Sequence, residues 1–376
     1  MRLLLIGAFP FPYPQGSQVY VAAQAAGLAG AGDDVAVASY GWGEGPIPEG
    51  VEWIASSRRL APRSGRSGPS LAKPLADLGL LATVVRAQRQ RHFDMAVAHN
   101  AEAAVVASVA RRLTGLRYVY VAHTLLAQEL SAYASKRWAQ PLAGGGARID
   151  RWAARDADSV IVLGRAALDA LGPDARGPVA RIAPALEIAS PPDLPQQGAA
   201  CAASGLTPRH FFLYMGNLDG YQELDRLDAA AQALPDDAPP IVVATHDARS
   251  ADRFRQLRVI EADFDTARCL AHASTALVAT RTRTGGFPIK LLNYMEARRP
   301  IVAFEPVAEG LRHEETAYLL PDTASPDELA GALQTLAANP RLADRLASAA
   351  HHHLLTHHDP DTQARLTRSH IGHDAN

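Results

Sequence analysis

The chain has 376 residues, 48% hydrophobic and 20% charged, a globular composition with enough length for two cores of ordinary size. Its formal net charge of -2 offers no chain-wide attraction to nucleic acid, so nucleic acid is not an expected partner. Cys201 and Cys269 are too few for a disulfide framework and lack the spacing of a metal site, which predicts a reducing, cytoplasmic setting.

The opening apolar run is far too short to span a bilayer and stops at a Pro- and aromatic-rich turn over residues 9–15, where a signal peptide would continue to a small-residue cleavage site. It reads as a buried first strand. Gly16 and Ser17 then precede a helical stretch over 18–31, and residues 35–38 read as a second strand, together a βαβ unit. Further apolar runs at 95–98, 118–122 and 159–163 alternate with Ala- and Arg-rich helical sequence, which predicts a parallel sheet. Residues 186–208 change character, carrying Pro191, Pro192, Pro195 and Pro208 among small and polar residues, and read as a linker. The alternation restarts with strands expected at 211–215, 241–244, 276–279, 301–304 and 317–320, followed by a strongly helical stretch over 326–355. The domains are therefore 1–185 and 209–355, with 356–376 a polar tail expected to wrap the surface or fray.

Open α/β sheets bind ligands at the carboxyl ends of their strands, so function is expected in the loops there. The segment most laden with chemistry is 280–296. Gly285 and Gly286 let backbone approach a ligand, a helix beginning near Pro288 would aim its N–H groups at a diphosphate, and Lys290 would add a point charge, with Arg281 and Arg283 as weaker cations. His99, Asn100 and Glu102 follow one strand and His123 and Glu129 another; His99, Asn100, Glu102 and Glu129 are positions from which acceptor hydroxyls could be met. Arg58, Arg59, Arg63 and Arg66 share a Gly- and Pro-containing loop, read as solvated, with peripheral contact to the inner face of a membrane as the functional alternative. The histidines at 351–353 and 357–358 are expected at a surface helix end rather than around a metal.

The block Gly286-Phe287-Pro288-Ile289-Lys290-Leu291-Leu292, the Arg299-Pro300-Ile301-Val302-Ala303 run and the Gly216-Asn217-Leu218-Asp219 loop together resemble the retaining glycosyltransferases of family 4, and the resemblance extends over nearly the whole chain. It implies an α/β protein of the GT-B fold, with two facing Rossmann-like parallel-sheet domains and a central cleft: an N-terminal acceptor side and a C-terminal side that binds a nucleotide sugar. The implied activity is transfer of a glycosyl group, with retention, from a nucleoside diphosphate sugar to a hydroxyl of a glycan, lipid-linked sugar or small-molecule glycoside, with no bound metal or other cofactor.

Residue by residue, the resemblance places His123 beside the transferred sugar, Gly16 and Ser17 on the diphosphate and acceptor, and Asp263 and Phe264 in the turn that contacts the base. The two motif glutamates of the family correspond here to Gly285 and Asn293, and its diphosphate-gripping Arg and Lys to Asn217 and Gln222. Asn293 retains hydrogen-bonding capacity for ribose hydroxyls. Lys290 is expected to restore part of the lost charge, since an uncompensated diphosphate leaving group is poorly stabilised. The losses also prompt an alternative, a catalytically degenerate GT-B protein that binds a sugar nucleotide, glycan or enzyme partner without turnover.

Overall fold

A computed structural model of the protein describes residues 1–13, 16–61, 73–133, 136–282 and 286–372, with backbone alone at 132, 133 and 136. The chain divides into two compact units, the first comprising 1–187, 286–287 and 358–372 and the second 188–282 and 288–357 among the described residues.

In the first unit the chain runs β1 (Arg2–Pro10), α1 (Gly16–Gly30), β2 (Asp34–Tyr40), β3 (Val51–Ala55), α2 (Lys73–Arg91), β4 (Met95–His99), α3 (Asn100–Thr114), β5 (Tyr118–Ala122), α4 (Leu126–Tyr133), α5 (Lys136–Asp156), β6 (Ser159–Val162), α6 (Arg165–Leu171) and β7 (Val179–Arg181). The strands form one seven-stranded sheet in the order β3-β2-β1-β4-β5-β6-β7. All pairings are parallel, with Leu4 opposite Ala36 on one side and Ala96 on the other. The central strands are almost wholly buried because helices cover both faces, which is why their sequences are continuous Val, Ile, Leu and Ala runs rather than alternating ones. Strands β3 and β7 sit at the edges, are only half-buried and carry Glu52 and Arg181. They lack the apolar run that marked their neighbours, and the sequence reading passed over both.

The second unit runs α7 (Leu194–Ala203), β8 (Phe212–Met215), α8 (Leu224–Gln232), β9 (Ile241–Thr245), β10 (Arg258–Glu261), α9 (Phe264–Ala273), β11 (Ala276–Val278), α10 (Lys290–Glu296), β12 (Ile301–Phe304), β13 (Tyr318–Leu320), α11 (Pro326–Ala338) and α12 (Pro340–His357). Its six strands are again parallel, in the order β10-β9-β8-β11-β12-β13. The helical stretch expected over 326–355 is two helices. Pro340 has no amide proton and disfavours helical backbone at Asn339, which sits at φ −125° and ψ 80°, ending α11 before α12 begins.

Two expected boundaries are corrected. The proline-rich stretch 186–208 contains α7, started by a reciprocal capping box between Asp193 and Gln196, and from residue 188 it belongs to the second unit. Arg268 of α9 fastens it by donating to the carbonyls of Ala189 and Ser190. The polar C-terminal stretch is no frayed tail: α13 (Pro360–Gly372) returns to the first unit and packs on α1. There the Arg368 guanidinium lies 2.9 Å from Asp33, and Gly27 of α1 leaves only enough room for Ala364. Its buried face, Gln363, Ala364, Thr367 and Ile371, is short on large apolar residues, which is why composition alone suggested a surface segment.

Candidate functional site

Each sheet reverses its strand order once, between β1 and β4 in the first unit and between β8 and β11 in the second, and such a switch point opens a crevice at the strand carboxyl ends. Most of the residues singled out from the sequence lie near these two places, while Asp263 and Phe264 follow the edge strand β10.

In the second unit β8 ends at Met215, and Gly216 turns the chain with φ at +147°. Helix α10 is set against this strand end by Tyr294, whose hydroxyl accepts from the Met215 amide at 2.9 Å and donates to the Val278 carbonyl at 3.1 Å. Lys290 lies one helical turn before Tyr294 and so faces the same strand. Its ammonium donates to the Tyr214 hydroxyl at 2.6 Å and the Gln222 side-chain oxygen at 2.9 Å, and sits 3.9 Å from the Tyr214 ring centroid. Tyr214 in turn donates to the Asn217 carbonyl, and Gln222 donates to the Asn217 side-chain oxygen, so that Asn217, Gln222 and Lys290 share one network. The φ of +147° at Gly216 strains any other residue, and a Cβ there would also lie 2.9 Å from the Lys290 nitrogen.

Lys290 is half-buried with its charged end desolvated, and no carboxylate pairs with it among the described residues. Burial, then the neighbouring Arg281 guanidinium, pushes its pKa well below the usual lysine range. Arg281 is lowered too, first by burial, and lies 5.8 Å from the Tyr221 ring centroid. The adjoining wall is tied down by Thr280 donating to the Gln222 carbonyl at 2.5 Å and by Thr282 donating its amide and hydroxyl to Glu223. The result is a desolvated Lys290 ammonium beside Arg281, whose own charge Glu223 partly offsets, in a polar frame suited to an anion.

Helix α10 starts at Lys290, two residues later than expected, and has seven residues; Pro288 and Ile289 form the turn before it, with Pro288 buried. Asn293 lies on this helix, half-buried, and its amide makes no hydrogen bond among the described residues. Arg283 and Gly285 lie outside the described residues, as do Arg63 and Arg66 of the basic loop. Of the stretch 259–264 expected to contact a base, residues 259–261 belong to strand β10, and the Asp263 carboxylate caps α9 by accepting from the Thr266 amide at 2.8 Å. The Thr266 side chain and then its amide hold Asp263 below its usual pKa, and Phe264 is exposed.

In the first unit, His99 is the last residue of β4 and opposes Val121 of β5; His123 is two residues beyond Val121 and therefore on the same side of the sheet. The imidazoles meet, with His99 Nδ1 2.8 Å from His123 Nε2. Tyr20 of α1 sets its ring edge-on to both, its hydroxyl accepting from Gln24 at 3.0 Å. Asn100, at φ +71°, accepts the His123 amide at 3.3 Å through its side-chain oxygen. Gly286, at φ +92°, lies so close that a Cβ would overlap the His123 carbonyl oxygen, and Phe287 stacks obliquely on His358 with ring centroids 5.5 Å apart. Gly16 and Ser17 open α1, exposed and half-buried respectively.

His99 was expected to meet an acceptor hydroxyl. It is fully buried beneath His123 and presents nothing to a ligand. Glu102 pairs with Lys73 at 3.2 Å, and Glu129 is raised in pKa by burial and then by the nearby Glu102. Asp150 of α5, which the sequence reading missed, caps α4 by accepting the amides of Leu126 and Ala127 at 3.0 Å each. Tyr20, Tyr214 and Tyr294 were also missed. Each sits in an apolar run where an aromatic reads as core, and only the hydroxyl's partner distinguishes it. His353 and His357 stack on one face of α12, and among the described residues no three metal-ligating side chains come together.

Two parallel-sheet units of this kind define a GT-B protein. Residues 15–185 match the model of the glycosyl transferase 4-like domain and residues 209–339 that of the glycosyl transferases group 1, and the chain is a glycosyltransferase of the GT-B fold. It is similar in structure to sucrose-phosphate synthase from Thermosynechococcus elongatus, with TM-score 0.80 and 16% identity over 99% of each chain. HepE of Anabaena, solved in complex with UDP-glucose, gives TM-score 0.74 and 17% identity over 99% of this chain and 100% of that one. WaaG, a glycosyltransferase involved in lipopolysaccharide biosynthesis, gives 0.72 and 15% over 97% and 99%. At such identities the likeness concerns the fold. No curated protein matches the sequence significantly.

Proposed function

We propose that the protein transfers a glycosyl group, with retention of anomeric configuration, from a nucleoside diphosphate sugar to an acceptor hydroxyl. The observation that carries this reading is the Lys290 ammonium, desolvated, next to Arg281 and without a carboxylate partner among the described residues. A buried cation without a counter-ion is costly, and a diphosphate supplies the missing charge. The solved complexes of HepE with UDP and UDP-glucose favour a nucleotide sugar as the source of that diphosphate.

In this reading Lys290 and Arg281 neutralise charge as the bond from the anomeric carbon to the diphosphate breaks, taking over from the cations that Asn217 and Gln222 replace. Asn293 serves the ribose hydroxyls, and His123 is assigned to the transferred sugar. Among the described residues no carboxylate presents itself as a covalent nucleophile, so the acceptor oxygen attacks on the face the diphosphate leaves and its proton passes to a leaving phosphate oxygen. The two side-chain cations carry the charge, and activity is expected to survive a chelator. The acceptor is a glycan, a lipid-linked sugar or a small-molecule glycoside.

Incubation with UDP-, GDP- and TDP-glucose, with products followed by proton NMR, tests the reading. Slow donor hydrolysis and an acceptor product of retained configuration are expected. An inverted product excludes retention, and tight donor binding with no hydrolysis or transfer favours a non-catalytic binding protein.

A further inference from the structure

One buried polar atom at the end of β4 has no partner: His99 Nε2 makes no hydrogen bond among the described residues, while its other ring nitrogen meets His123 Nε2 at 2.8 Å. Both rings are enclosed, His99 wholly and His123 nearly so, with the edge of Tyr20 against each. Burial pushes the pKa of both down, that of His123 to about 3, so each ring is neutral near pH 7 and carries one N–H.

One proton lies between the rings, and it can belong to either. If His123 Nε2 carries it, then His99 must be protonated at Nε2, which orphans a buried donor. If His99 Nδ1 carries it, His99 Nε2 is a bare lone pair, and His123, accepting at Nε2, holds its own proton on Nδ1. Orphaned buried N–H groups are rarer than under-satisfied acceptors, so the second arrangement wins. It leaves every N–H but one paired inside the protein, and that one is the Nδ1–H of His123. Among the described residues this nitrogen has no hydrogen-bond partner, yet it is absent from the fully enclosed atoms, so it is the point at which the pair meets something else.

We propose that His99 is a positioning residue: its Nδ1–H donates to His123 Nε2 and locks His123 as the Nδ1–H tautomer, a neutral donor for a hydroxyl of the transferred sugar. The role toward sugar rests on the assignment of His123 made above; the tautomer does not. The pair has no acid–base task, since neither ring takes a proton in the working pH range. Its task is to present one N–H in one direction, held from behind by a side chain that never touches substrate.

The test is long-range nitrogen-15 to proton correlation NMR on the full chain labelled at histidine, with the two rings assigned from His99→Asn and His123→Asn variants. The expected spectrum shows pyrrole-type Nδ1 and pyridine-type Nε2 for both residues, unchanged between pH 8 and pH 5. A protonated Nε2 on His123 overturns the proposal. His99→Asn keeps an amide N–H that can serve His123 Nε2, and is expected to keep the tautomer and turn over whichever of UDP-, GDP- or TDP-glucose is a donor within about threefold of wild type. His99→Leu is expected to release His123 into mixed tautomers and lower kcat at least tenfold with a smaller change in donor KM. A leucine variant with mixed tautomers and undiminished kcat overturns the positioning role. A His123→Ala variant of wild-type turnover instead refutes the sugar assignment, and the NMR result stands apart from it.

Discussion

The Lys290 ammonium lies over the ring of Tyr214, 3.9 Å from its centroid, while donating to that residue's hydroxyl at 2.6 Å. A residue of helix α10 thereby delivers charge to the end of strand β8, where the sequence itself carries Asn217 and Gln222 and no cation.

Replacing Lys290 separates function from stability. Lys290→Met removes a desolvated charge that nothing in the frame neutralises, so the melting temperature is expected to hold or rise. Turnover is expected to fall about 100-fold or more, the usual scale for losing one preorganised charge stabiliser. Wild-type turnover and donor affinity in this variant, measured by initial rates, would refute the role given to Lys290.

Donor binding is expected to take up a proton. The free site depresses the Lys290 pKa through burial and Arg281, whereas a bound diphosphate favours the charged form and raises it. Above the depressed pKa the free amine is largely neutral, so binding draws a proton from the buffer and affinity weakens as the pH rises. Calorimetry of UDP binding in two buffers of different ionisation enthalpy measures this uptake. The uptake should vanish in Lys290→Met; equal heats in both buffers would contradict it.

Gly286→Ala meets two penalties at once. The residue has φ at +92°, where a Cβ is strained, and that Cβ would overlap the His123 carbonyl oxygen. Left-handed backbone and overpacking together suggest a loss of about 2–4 kcal/mol. Urea unfolding should show a lowered midpoint with an unchanged slope, and a shift below about 0.5 kcal/mol would mean that the backbone there yields freely.

The buried histidine pair makes the fold acid-sensitive. The folded pKa of His123, about 3, lies below the ordinary value of 6.5, so the unfolded chain takes up the proton first as the pH falls. Its contribution is complete above pH 6.5 and is lost from there down toward pH 3, at a slope of at most about 1.4 kcal/mol per pH unit. His99 acts with the same sign. Urea midpoints between pH 7 and pH 5 should fall more steeply for wild type than for His123→Gln; coincident slopes would show that the imidazole stays accessible to protons.

Much of this was legible in the residue string because parallel strands buried on both faces must be apolar throughout, and the central strands from β1 to β12 announce themselves in that way. Edge strands β3, β7 and β10 are half-solvated and carry charges, so their sequences look like loops. The family motif around 286–293 was readable for the same local reason, since turn, helix and strand follow one another along the chain. Lys290 was legible as a cation within that motif, although the string could say nothing of Tyr214, which lies 76 positions away.

Contacts between distant segments are what folding supplied. The burial of His99 beneath His123 depends on the register of β4 against β5 and on Tyr20 of α1 setting its ring against both imidazoles; the same dipeptide His99-Asn100 on an edge strand would be an ordinary polar loop. The return of α13 to α1 depends on small residues such as Gly27 and Ala364 meeting across the chain, a fit of shape that leaves no periodic apolar signature. Lys290 carries the same positive charge in either description. Its placement among Tyr214, Gln222 and Arg281, without a carboxylate partner among the described residues, is what makes that charge a demand for an anion, because desolvation acts on position and not on residue type.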